Sequence, residues 1–255
     1  MLDYAFMEKA LPFLLKAIPV TLGLTFLVLV LSFLPAIFLA DRRIRGRGWG
    51  EKLITLYISF IRGTPLVLQI LLLYALLPSL LHSLVQMAGL SFDVFHGVNP
   101  LWYAVIVFTL NTIALMSEIF RSAITSVADG QMEAGLTIGL SRWQTYREVI
   151  IPQALSSAVP NLCNLTVNLI KGTSLAFFIG VKDIMAMAKI QAAYGYNYIE
   201  AYLEVFILYL VICSVVQVIY KLFEIKINWY CSCQQKLDTK LKKLGIKIEY
   251  LYKTQ

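Results

Sequence analysis

Residues Val20–Ala40 read VTLGLTFLVLVLSFLPAIFLA, without one charged side chain. About 20 apolar residues wound as an α-helix match the ~30 Å hydrocarbon core of a bilayer. Four further blocks have the same character: Thr64–Leu81, Leu101–Phe120, Val159–Val181 and Ala201–Phe223. The whole chain of 255 residues is 59% hydrophobic and 15% charged, with a mean hydropathy of +0.73. A soluble domain carries roughly 45–50% apolar and about 25% charged residues. The fold class is therefore an all-α membrane protein with five transmembrane helices in one domain, 20–223. No repeated halves stand out.

The basic residues orient these spans. The net charge is +7. In a soluble protein that would raise the question of nucleic acid, but here most Lys and Arg fall between the apolar blocks. Arg42, Arg43, Arg45, Arg47 and Lys52 follow the first span, and Arg121, Arg142 and Arg147 follow the third. The tail from Lys221 to Lys253 holds eight, whereas His82 to Pro100 holds none. The loop after the fourth span holds Lys182 and Lys189. Excess Lys and Arg mark the cytoplasmic side. That puts the N-terminus and the second and fourth loops outside, and the first and third loops and the C-terminus inside. Five crossings connect those ends consistently.

The ends carry weaker signals. Residues 1–19 lack a basic leader and contain Asp3 and Glu8, so they read as an interfacial amphipathic helix, not a signal peptide. Pro12 is expected to break that helix and Pro19 to end it. The segment 224–255 is a basic cytoplasmic tail. Its Cys231 and Cys233 form a C-x-C pair, which is short of the usual zinc spacing and reads as membrane-proximal thiols or lipidation sites. The two His both lie in an outside loop, which excludes histidine-based catalysis in the spans. No phosphate-cradling G-x-x-x-x-G-K-[ST] loop, metal set or catalytic triad is found, so no catalytic residue and no metal ligand is assigned.

The third loop, 122–155, is patterned like helices. Asp129, Gly130 and Gln131 open one, with Glu133 in the first turn opposing the positive end of the helix dipole. Gly139 suits a left-handed stop. Ser141-Arg142-Trp143-Gln144 then reads as a capping box starting a second helix, expected to end at Ile151 before Pro152. Ala134 and Gly135 would let a partner backbone approach closely, as when a short helix enters a groove.

These residues resemble the EAA loop of ABC importer permeases, of form E-A-A-x3-G-x9-I-x-L-P. Glu133, Ala134, Gly139 and Pro152 match it. Gly135 replaces the second Ala, and Val149 and Ile151 are conservative replacements. Arg62-Gly63-Thr64-Pro65-Leu66 with Gln69, and Glu118-Ile119-x-Arg121, look like segments of the polar amino-acid subfamily. So do Gly130-Gln131, Pro152-Gln153-Ala154, Pro160, Asn168 and Lys171-x-Thr173-Ser174-Leu175. The resemblance runs from about Ile61 to Leu175; beyond that only the topology matches.

What the resemblance implies is a permease subunit in the prokaryotic plasma membrane. Two such permeases, this chain twice or with a paralogue, would pair with two cytoplasmic ATP-binding subunits and an extracytoplasmic amino-acid-binding protein. ATP and Mg would bind the partner ATPase, with no cofactor on this chain. Gln131, Glu133, Ala134, Gly135, Gly139 and Pro152 would couple the two. A membrane enzyme would need paired His, Asp or Cys at one face, and a channel would need no such loop.

Polar groups inside the spans are the candidate substrate path. Asn161, Asn164, Asn168 and Lys171 sit at i, i+3, i+7 and i+10, within one arc of a helix. Asn111 and Glu118 share a face of the third span, and Gln69 and Gln217 are further candidates. Such residues either line a path or hold helices together, and a Lys171–Glu118 pair would serve both.

Overall fold

A computed structural model describes residues 2–46, 48–87 and 98–243, with side chains to residue 227. Among these residues every regular element is helical. The chain order is α1 (Tyr4–Arg45), α2 (Trp49–Gly63), α3 (Leu66–Met87), α4 (Pro100–Thr125), α5 (Gly130–Thr137) and α6 (Arg142–Thr145). A π-helical turn (Tyr146–Ile150) leads into α7 (Ile151–Thr173), and a 3-10 turn (Ser174–Ile179) follows it. The remaining helices are α8 (Ile184–Gly195) and α9 (Tyr198–Lys243). Five helical segments are long and apolar enough to cross a membrane: α1, α3, α4, the run from α6 to Ile179, and α9 to Ile227.

α1 differs from its expected form. Asp3 caps it by accepting from the Phe6 N–H at 3.0 Å, and it runs 42 residues to Gly46, whose φ is +56°. It passes Pro12, Pro19 and Pro35 unbroken, so the segment expected to be a separate interfacial helix is continuous with the first span. Packing outweighs the lost hydrogen bonds: Ala10, Leu14 and Ala17 are buried against Ile184, Ala188 and Ala192 of α8 and Ala201 of α9.

Further along α1, the buried residues are mostly small: Thr21, Thr25, Ser32, Ala36 and Ala40. Small side chains let helices approach closely where lipid gives no hydrophobic drive to associate. Ser32 Oγ donates to the Thr109 carbonyl of α4 at 3.3 Å. The core that results holds Leu24 and Val28 of α1, Ile70 of α3, and Phe108 of α4 with Leu169 of α7.

Pro65 stands immediately before α3, which starts at Leu66. The segment before it is itself helical. α2 rests Ile58 and Ile61 on Ala114, near the middle of α4, and its Tyr57 hydroxyl donates to the Leu110 carbonyl. The α8 helix was likewise not foreseen. Asp183 caps it through the Ala186 N–H at 2.8 Å. The C-x-C side chains and residues 88–97, which include His96, lie outside the described side chains and residues.

Candidate functional site

The third loop folds as a helical hairpin. α4 runs to Thr125, and the Ser126 N–H closes it on the Ser122 carbonyl at 2.9 Å. α5 starts at Gly130 and ends in a Schellman motif: the Leu140 N–H reaches the Gly135 carbonyl at 3.1 Å, and the Gly139 N–H reaches the Leu136 carbonyl at 3.1 Å. Gly139 has φ +90°, where a Cβ is strained. The capping box forms: Ser141 Oγ accepts from the Gln144 N–H at 3.3 Å, and Gln144 Oε1 accepts from the Ser141 N–H at 2.9 Å.

The second arm does not stop before Pro152. It passes through the π turn directly into α7, with Pro152 in the first turn of that helix. The π turn just before it widens the helix, which relieves the clash of the proline ring with the preceding turn. Gln153 Nε2 adds a donor to the Val149 carbonyl at 3.0 Å. The second arm of the hairpin and the fourth span are thus one continuous helical path.

Glu133, Ala134 and Gly139 are exposed on the hairpin, and so are the apolar Leu136, Ile138 and Trp143. Gln131 and Pro152 are half-buried. Gly135 is buried against the fully buried Thr145 of α6.

The fourth span carries a polar face. Asn161, Asn164, Asn168 and Lys171 are all exposed on α7, together with Pro160. The opposite face buries Leu165, Val167, Leu169 and Ile170. Asn161 Nδ2 donates to the Ser157 carbonyl at 3.0 Å. Lys171 makes no ion pair among the described residues. Elsewhere the uncovered faces of the spans are apolar, for example Phe26, Leu34 and Phe38 on α1 and Leu68, Leu72 and Leu76 on α3. A polar face ending in an ammonium is costly against hydrocarbon, so it requires water, a ligand or another protein surface.

Gln69, Asn111 and Glu118 are occupied within the chain. Gln69 is buried; its Nε2 donates to the Ile61 carbonyl at 2.9 Å and to the Thr64 carbonyl at 3.1 Å. Its Oε1 accepts from Asn111 Nδ2 at 2.9 Å. The carbonyls at the end of α2 have no helical donor because the chain breaks at Pro65, and Gln69 supplies one. Gln217 is exposed on α9.

Glu118 does not pair with Lys171. Its Oε1 accepts from Arg121 at 2.6 Å, and its Oε2 accepts from Arg43 at the end of α1. Arg43 is the residue that reading by loops missed. It was counted only as a loop charge, whereas the helix carries it back to α4. Thr145 and Asp183 were missed too, since their partners lie in other elements. No group of three His, Cys, Asp or Glu gathers among the described residues.

Residues 32–229 match the family described as "Binding-protein-dependent transport system inner membrane component". The chain belongs to that family. The glutamine transport system permease protein GlnP of Escherichia coli (strain K12) is 32% identical over 223 residues, covering 87% of this chain and 96% of the relative. The L-cystine transport system permease protein TcyL of Bacillus subtilis (strain 168) is 33% identical over 217 residues, 85% of this chain and 88% of the relative. Among solved structures, a chain from "an amino acid ABC transporter with histidines" superposes with a TM-score of 0.74 at 28% identity. It covers 89% of this chain and 99% of the other. The protein is thus a multi-pass inner-membrane permease subunit of the ABC-importer type.

Proposed function

We propose that this permease moves a polar or charged amino acid, cystine included, into the cytoplasm, driven by ATP hydrolysis on a partner subunit. The N-terminus lies outside and the tail inside, following the Lys and Arg asymmetry of the loops. Two permeases, this chain twice or with a paralogue, work with two ATP-binding subunits and an extracytoplasmic binding protein.

One observation carries the coupling: the hairpin exposes Glu133, Ala134, Leu136, Ile138 and Trp143, and its second arm runs without interruption into the helix bearing the polar face. Exposed apolar side chains around a short helix suit a cleft on a soluble partner. ATP and Mg2+ bind that partner. When its nucleotide-bound form closes, it draws α5 inward, and the rigid second arm passes the displacement to α7. The face of Asn161, Asn164, Asn168 and Lys171 then changes its exposure. Amides and an ammonium offer a zwitterion both hydrogen bonds and a counter-charge for its carboxylate. Gln69 and Asn111 support that path by fixing α2, α3 and α4 to one another, and Glu118 does so by fixing α4 to α1 through Arg43.

Co-purification tests the assignment. A tagged chain co-expressed with the ATP-binding subunit should retain it through detergent extraction and size exclusion. A membrane enzyme or a channel would emerge alone, and that result would remove the reading.

A further inference from the structure

Gly135 is the one buried residue of α5. A Cβ built on it would lie 2.3 Å from Thr145 Cγ2, 2.5 Å from Thr145 Oγ1 and 2.9 Å from Thr145 Cβ. Real Cβ atoms do not approach so closely, and Thr145 has little freedom to yield. It is 0% exposed, and its Oγ1 is held by the Ser141 carbonyl at 3.0 Å. The Gly135 carbonyl in turn accepts from Leu140, so the same residue anchors both the stop of α5 and the seat of α6.

We propose that Gly135 is a positioning residue that acts inside the hairpin. It seats Thr145 and locks the angle between the arm that docks the ATPase and the arm that becomes α7. The inference rests on the hairpin being the coupling element. It assigns Gly135 to transmission of the movement and not to the docking surface.

The test is a graded rescue in the full complex with its ATP-binding subunit, reconstituted in vesicles. Gly135→Ala should keep the ATPase bound but lower uptake about tenfold, as overpacking a tight contact does. More ATP should then be hydrolysed per amino acid moved. Adding Thr145→Ala removes the two closest contacts, at 2.3 and 2.5 Å, and should restore part of the uptake. Adding Thr145→Gly removes the clash and should restore most of it.

If Gly135→Ala does not assemble, the yield of assembled complex becomes the readout and should recover in the same order. Normal uptake by Gly135→Ala overturns the proposal. So does a defect that neither Thr145 substitution relieves, because a docking residue would be indifferent to position 145. Uptake by the wild-type chain without any ATP-binding subunit would instead remove the coupling reading itself.

Discussion

Asn111 of α4 donates a 2.9 Å hydrogen bond to Gln69 Oε1, while Gln69 Nε2 closes the end of α2 on Ile61 and Thr64. One buried amide therefore joins three helices at a chain break. Gln69→Met keeps the volume and leaves these carbonyls and Asn111 without a partner. Buried polar groups so orphaned cost about 1–3 kcal/mol in water-soluble proteins, and helix contacts in membranes are worth somewhat less. The melting temperature of the purified protein should fall by several degrees. Gln69→Glu, which cannot donate when ionised, should not restore it. An unchanged melting temperature in both variants would contradict the bridging role.

Asp183 gives a pH dependence outside the spans. Burial pushes its carboxyl up from 3.8 to about 6, against the stabilising Ala186 N–H and the Tyr209 hydroxyl at 3.3 Å. A folded value above the unfolded one means that protonation favours the fold. The contribution is complete below about 4 and is lost as pH rises through about 6. Asp183→Asn keeps a good helix cap and has no proton to lose. Thermal melting from pH 4 to pH 7 should decline in the wild type and be flatter in Asp183→Asn. Equal slopes would exclude Asp183 as their source.

The five apolar blocks were readable because hydropathy is a local property of about twenty residues. Gly139 and the Ser141–Gln144 box were readable for the same reason, since caps act within four residues. Elements decided by distant partners were not. Pro12 and Pro19 suggested a separate helix before the first span, but packing on α8 and α9 accompanies an α1 that stays helical past both. Pro152 suggested a stop, and a π turn carries the helix through it. Glu118 looked free for Lys171, and Arg43, 75 residues away in sequence, occupies it. The periodicity of Asn161, Asn164, Asn168 and Lys171 placed them on one face; that this face is left uncovered follows only from the tertiary packing.

That uncovered face makes a sharp prediction for Lys171. Insertion scales charge roughly 2.5–3.5 kcal/mol for a Lys at mid-membrane, so Lys171→Met should insert at least as well as the wild type. Uptake in vesicles should drop strongly while the binding protein still stimulates ATP hydrolysis and binds its amino acid as before. Parallel loss of uptake and stimulated hydrolysis would move Lys171 from the path to the coupling machinery.

The orientation can be checked with single cysteines in a background free of the native ones. Tyr194→Cys, at the exposed end of α8, should react with a membrane-impermeant maleimide added to intact cells. Arg45→Cys and Gln144→Cys should react only after permeabilisation. External labelling at position 144 would invert the topology and remove the hairpin from the ATPase side.

Uptake and ATP hydrolysis measured together in one set of reconstituted vesicles test the central claim most directly. The wild-type complex should accumulate labelled amino acid only with the binding protein outside and ATP on the ATPase side. Glu133→Lys reverses a charge on the exposed docking arm, and Gly139→Asp strains the bend at φ +90°. Both should remain inserted and lose ATP-driven uptake. Wild-type uptake rates in both variants would contradict the assignment of the 122–155 loop as the coupling element.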